Sequence, residues 1–201
     1  MLLPNVKMSD DIPSSSDTEA KPVASDDPGS NKRGKNQPSS ESYLIFERMS
    51  TGRLCIKSEV LKRMKSFSME VPDALEAGGV LMGRYIKNTR DVIVDEITVP
   101  KDGDLRSSYR FFRAHEQHQE RIEQAWERSG HICTYLGEWH THSESDPSPS
   151  YVDRSEWRRK LMTDDFGSHL FFVIVGTEAI QAWEGKRRSQ RVSKLSTNRN
   201  F

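Results

Sequence analysis

Thiols are scarce in this chain: Cys55 and Cys133 are the two cysteines among 201 residues, and no Cys-x-x-Cys pair occurs. That excludes a disulfide framework and suits a reducing cytoplasm. No charge of one sign prevails, since 30 Lys and Arg balance 30 Asp and Glu. A whole-chain attraction to nucleic acid or to an anionic membrane is therefore not indicated. Long hydrophobic runs are absent. The best stretch, over residues 170–175, falls far short of the roughly 20 residues that span a bilayer. The start MLLPNVKMSDD carries no apolar run of signal-peptide length. A soluble cytoplasmic protein is expected, with neither membrane nor nucleic acid as partner.

Aromatic residues are missing before Tyr43, where Ser, Asp, Pro, Lys and Gly dominate. Such a composition cannot bury enough apolar surface to offset chain ordering. Residues 1–41 read as a disordered extension, which also accounts for a mean hydropathy of −0.76. Residues 42–185 read as one domain and 186–201 as a basic tail, frayed around GKRRSQR.

Within the domain, YLIFERM and RLCIKS look like strands about a turn, and Ser58 looks like the cap of a helix over EVLKRMKSF. Strands are expected over 77–86, 91–99, 109–113 and 131–142, with a helix over HEQHQERIEQAWERSG between the last two. A loop SESDPSPS leads to a helix at SYVDRSEWRRKLM, and HLFFVIVG and AIQAW close the domain as strands. Only a few residues join those last two strands, which demands antiparallel pairing. The fold class is α/β (α+β), with a mixed, partly antiparallel sheet flanked by helices.

The chemistry sits in Glu138-Trp139-His140-Thr141-His142, followed by a proline-stiffened loop and Ser150-Tyr151-Val152-Asp153. Residues i and i+2 of a strand share a face, so His140 and His142 project side by side. Asp153 falls in the first turn of the following helix. Two imidazoles and a carboxylate make a three-ligand site with an open fourth position, as catalytic zinc requires. Glu76, just ahead of an apolar strand, could serve as the base acting on a water. Ser150 could donate to a developing oxyanion. Ser150-x-x-Asp153 also reads as a helix capping box, and both readings can hold together. Glu138 shares the parity of the histidines, but a supporting or buried structural role suits it better. His115 and His118 are spaced i, i+3, unlike HExxH, and read as an exposed helix face. His131 and Cys133 lack the second cysteine pair of a deaminase site.

His140-x-His142, Ser150-x-x-Asp153 and the upstream Glu76 together resemble the signature of the JAB/MPN (JAMM) metalloproteases. The resemblance implies Zn2+ on His140, His142 and Asp153 at a sheet–helix junction, Glu76 as base and Ser150 as oxyanion stabiliser. It also implies a protein conjugate as substrate. The wording EAGGVLMGR with YLGEWHTH and PSPSYVDRSEW is similar to the deconjugating isopeptidases of CBASS antiphage operons. These release a CD-NTase C-terminus from proteins to which it is attached. One departure is Ser143, where the family usually places proline. The competing readings are a non-catalytic MPN scaffold, whose members generally lack the ligands, and a DNA-repair-associated JAB protein, whose motif differs between and after the histidines.

Overall fold

The computed structural model describes residues 42–68, 75–164 and 167–197; the extension expected over 1–41 lies outside them. Strands β1 (Tyr43–Glu47) and β2 (Arg53–Lys57) form a hairpin and lead into helix α1 (Ser58–Lys65). Strands β3 (Gly78–Tyr85) and β4 (Val92–Ile97) follow, then a small hairpin of β5 (Leu105–Ser107) and β6 (Arg110–Phe112). Helix α2 (His115–Arg128), strand β7 (Thr134–Thr141), helix α3 (Tyr151–Thr163) and strands β8 (His169–Val175) and β9 (Ile180–Lys186) continue the chain. Ser58 is the first residue of α1 rather than its cap. Its hydroxyl donates to the Ser42 carbonyl at 2.8 Å instead of closing the helix end.

Nine strands make one mixed sheet in the order β10-β9-β8-β7-β3-β4-β2-β1-β11, where β10 is Arg191–Lys194 and β11 is Ser196–Thr197. β2 with β4 and β7 with β8 are parallel, and the other pairs are antiparallel, including β8 with β9. Over its described residues, 186–197, the basic tail expected to fray does not. It forms β10 (Arg191–Lys194) on β9 and β11 (Ser196–Thr197) on β1. Leu195, between them and 2% exposed, belongs to the core. One short segment therefore bridges both edges of the sheet, which curls towards a barrel and leaves no long free edge. The composition of this stretch is basic, but its backbone finds partners on two strands and its one leucine is buried.

Apolar residues alternate along the strands between two cores. Phe171, Val173 and Val175 of β8 join Leu54, Met64 and Trp139 on the α1 side. Leu170, Phe172 and Ile174 join Ile122, Trp157 and Leu161 under α2 and α3. This parity breaks in β7. Tyr135 belongs to the α2–α3 core and Trp139 to the other, although four residues in an unbroken strand would keep one face. The reason is a bulge: Leu81 of β3 lies opposite Gly137 while Met82 lies opposite Tyr135, so Leu136 is extra. Gly137 has φ +145°, and a Cβ there would lie 1.9 Å from the Phe171 carbonyl oxygen. The bulge exchanges the faces of β7, and thereby aims Glu138, His140 and His142 towards α3.

Replacing Gly137 by Ala should thus do more than strain the backbone. We expect a loss of about 1–3 kcal/mol in denaturant unfolding, together with weakened retention of added divalent metal. Unchanged metal retention in the Gly137→Ala variant would show that the bulge does not set the direction of the histidines.

Candidate metal centre

Each side chain of the site is held by its backbone. Gly78 of β3 pairs opposite His140, and the Thr141 amide donates to the Ala77 carbonyl at 2.8 Å. The Ala77 amide donates in turn to the Thr141 hydroxyl at 2.9 Å. Thr141 lies on the core side between the two histidines and clamps the residue that follows Glu76. His142, one residue past β7, is fixed by its amide on the Val175 carbonyl at 2.9 Å. Asp153 arrives with the capped start of α3. Its amide donates to Ser150 Oγ at 3.1 Å, and the Ser150 amide donates to Asp153 Oδ2 at 2.7 Å. The capping-box and ligand readings of Asp153 thus coexist, because Oδ1 is left to face the imidazoles.

The three groups meet. His140 Nε2 and His142 Nε2 are 3.0 Å apart, and they lie 3.2 Å and 3.5 Å from Asp153 Oδ1 and Oδ2 respectively. A tetrahedral ion with bonds of about 2.0–2.1 Å needs its ligand atoms roughly 3.3 Å apart, so this donor set fits one cation. No other such group of His, Cys, Asp and Glu is found among the described residues. Glu76 joins from the earlier segment, with Oε1 3.9 Å from His142 Nε2 and a side chain only 7% exposed. Its own amide donates to the Ser107 carbonyl at 2.8 Å, and Arg106 Nε donates to its carbonyl at 2.7 Å. Ser150 is exposed, and its oxygen already accepts from Asp153, which leaves the hydroxyl proton free to donate outward.

Ser143, in the place of the usual proline, does not loosen the loop. The Thr177 amide donates to the Glu144 carbonyl and the Ala179 amide to the Ser145 carbonyl, at 2.9 and 2.8 Å. The turn between β8 and β9 therefore supplies the fixation.

Electrostatics follow from the crowding. Burial raises the Glu76 carboxyl, against the pull of His140 and His142, so this acid holds a proton more readily than a surface glutamate. Burial would raise Asp153 as well, but hydrogen bonds from His140 and His142 and from the helix cap hold it well below the usual carboxylate range. Burial would lower His142, yet Asp153 and then Glu76 outweigh it and raise the imidazole. Cys133 is buried and its thiol is pushed up to about 11, which leaves it a core residue and no nucleophile.

Of the remaining polar residues, Glu138 meets Arg113 at 2.9 Å and Lys160 at 2.8 Å, a buried structural cluster. His118 is corrected: it is fully buried, not on an exposed helix face. Thr98 accepts from the Val80 amide, and its hydroxyl lies 2.6 Å from His118 Nδ1. Sequence reasoning passed over Thr98, Thr141 and Arg106. For Thr141 alone a signal existed, since a hydroxyl between two strand-borne ligands must face the core.

Three such donors would leave one position of a tetrahedral ion open, which is the pattern of a metallohydrolase rather than of a structural ion. The comparisons agree with that class. The chain belongs to the family described as prokaryotic homologs of the JAB domain, whose profile matches residues 64–191. It is 34% identical over 154 residues to the "CD-NTase/cGAS isopeptidase" of Vibrio cholerae, covering 77% of this chain and 94% of that one. To the protein of the same name from Escherichia coli it is 29% identical, covering 76% and 93%. A "Probable metalloprotease" of Sinorhizobium fredii is 36% identical over 84 residues, 40% of this chain and 49% of that one.

The shifts fix how stability depends on pH when metal is removed. Asp153's lowered value contributes stability present above about pH 3.9 and lost as acid titrates the folded carboxyl. Glu76's raised value penalises the charged form, so its contribution falls as pH rises above about 4.3. His142's raised value contributes fully below about pH 6.5 and fades as pH rises through the folded value. The chelated protein should therefore lose stability from about pH 5 to pH 8, as read by urea midpoints. Added metal needs neutral imidazoles, so its stabilising effect should grow over the same range. Chelated protein that gains stability towards pH 8 would contradict this balance.

Proposed function

We propose that the chain is a zinc-dependent isopeptidase that cleaves the amide bond joining the C-terminus of a CD-NTase, or of a ubiquitin-like protein, to a target protein. The observation that carries this reading is the convergence of His140, His142 and Asp153 at ligand spacing with Glu76 beside them. The names of the relatives supply the substrate class.

His140, His142 and Asp153 would hold the ion, which when bound supplies a Lewis acid for the scissile carbonyl and acidifies a water. Glu76 then acts as the proton carrier. It takes a proton from the attacking water and delivers it to the leaving lysine amine, and its raised affinity for protons suits both halves of that task. The Ser150 hydroxyl, at the lip of the site, donates to the oxyanion that develops on the carbonyl. Above the site a narrow groove runs between β6 and α3, lined by Tyr109, Phe111, Val152 and Glu156. We place the substrate's extended C-terminal tail along this groove, since main-chain pairing along a strand is a common mode of peptide capture. Defence against phage through a CD-NTase is the setting this activity implies. No described helix is long and apolar enough to cross a membrane.

The roles separate under mutation. Glu76→Gln should retain about one equivalent of zinc while conjugate cleavage falls by about 10³-fold or more. Asp153→Ala should lose both metal and cleavage, with a folded domain by circular dichroism. Gel-based cleavage of a lysine-linked CD-NTase conjugate, read beside metal analysis, decides it. Wild-type turnover in Glu76→Gln would remove Glu76 from the mechanism, and zinc-free protein that cleaves at full rate would remove the ion.

A further inference from the structure

His118, Asp104 and Thr98 form a chain of polar groups in the interior, apart from the metal ligands. The side chains of His118 and Asp104 are both 0% exposed. Asp104 is the acceptor at one side of the ring, so His118 carries a proton on Nε2 and donates it to that carboxylate, 3.2 Å away. Burial disfavours a second proton on the imidazole. Nδ1 of the neutral ring therefore accepts the Thr98 hydroxyl proton at 2.6 Å, while Thr98 Oγ1 accepts the Val80 amide at 2.7 Å. Asp104 also accepts the Lys101 amide on Oδ2 and the Ala114 amide on Oδ1, each at 2.7 Å. Lys101 precedes the β5–β6 hairpin and Ala114 follows it. One buried carboxylate thus ties both ends of the hairpin together, and His118 ties that carboxylate to α2.

What the hairpin touches gives this knot its importance. Ser107 of β5 accepts the Glu76 amide, and Arg106 donates to the carbonyls of Glu76 and Leu75 at 2.7 and 3.0 Å. Phe111 of β6 lies against Gly78, where a Cβ would stand 2.5 Å from its ring. Gly78 is paired opposite His140. The Thr98 carbonyl, on the same knot, accepts the indole N–H of Trp139 at 2.9 Å. Glu76 itself lies in the stretch 75–77, which is neither helix nor strand, and the hairpin binds its amide and its carbonyl.

We infer that His118, as the Nε2–H tautomer, is a positioning residue: through Asp104 it clamps the β5–β6 hairpin, and the clamped hairpin sets Glu76 against the metal ligands. This rests on the proposed hydrolytic role of Glu76 and adds a residue more than 20 positions from any ligand in sequence. A displacement of the base by about 1 Å is enough to reduce turnover by about 10²-fold, so a remote clamp can control rate.

The test compares His118→Leu, which keeps apolar volume but leaves Asp104 and Thr98 without their partner, with His118→Gln, whose amide can still donate to Asp104. Three readouts are taken on the full chain: zinc content, amide hydrogen exchange, and kcat on the lysine-linked conjugate. We expect His118→Leu to keep about one equivalent of zinc and to lose kcat by about tenfold or more. Amide exchange should rise over residues 101–114 and 75–77 while β7–β9 stay protected. His118→Gln should recover to within about threefold of wild-type kcat. Wild-type exchange and turnover in His118→Leu would overturn the inference. So would exchange raised across the whole sheet together with loss of zinc, since that is a general structural role. If the leucine variant does not fold, Asp104→Asn carries the same comparison with the same outcomes. Wild-type protein unable to cleave the conjugate would end the proposed function, while the localised exchange would still decide whether the clamp exists.

Discussion

The antiparallel pairing of β3 with β7, closed at its end by the double hydrogen bond between Ala77 and Thr141, is the interaction on which the site depends. Glu76 and the two histidines are more than sixty positions apart in sequence. The ladder between these strands brings Glu76 within 4 Å of His142, and its closing pair, Ala77 and Thr141, is fully buried. A buried amide that loses its acceptor costs about 1–3 kcal/mol, and the reciprocal Ala77–Thr141 bonds therefore resist separation. With the ladder fixed, the bulge at Gly137 chooses the face on which His140 and His142 emerge. The capped start of α3 then has only one place to present Asp153.

The second consequence concerns rigidity. The sheet's edges are bridged by the chain's last described strands, β10 and β11, so curvature is imposed on all nine strands at once. Trp157 of α3 stacks on Phe172 of β8 at 4.6 Å between ring centroids, about one turn beyond Asp153. The helix that presents Asp153 is therefore anchored to the strand beside the one that leads to His140 and His142.

Much of this was legible in the residues, and the reasons are specific. The His-x-His pair declares its geometry because a strand has period two, and the capping box declares the orientation of Asp153 because the motif is local. The strands of the large sheet from β1 to β9 follow their apolar runs, whereas β5, with the sequence LRS and exposed throughout, has none to read. Ser58, His118 and the basic tail were misread for one shared reason: each is polar in composition but acquires its role from a distant partner. His118 is buried because Asp104 and Thr98 satisfy both ring nitrogens, and nothing in HEQH encodes that. The tail is ordered because β1 and β9 offer it open edges, and those edges exist only after the sheet has formed. The bulge was invisible as well, since Gly137 reads as an ordinary break in an apolar strand.

X-ray absorption at the zinc edge on the reconstituted protein tests the central claim most directly. A single ion bound by two imidazoles of the protein and one carboxylate oxygen, with a further exchangeable oxygen, is the predicted coordination. A spectrum dominated by sulfur, or one unchanged when His140 and His142 are both replaced, would show that these converging side chains do not hold the metal.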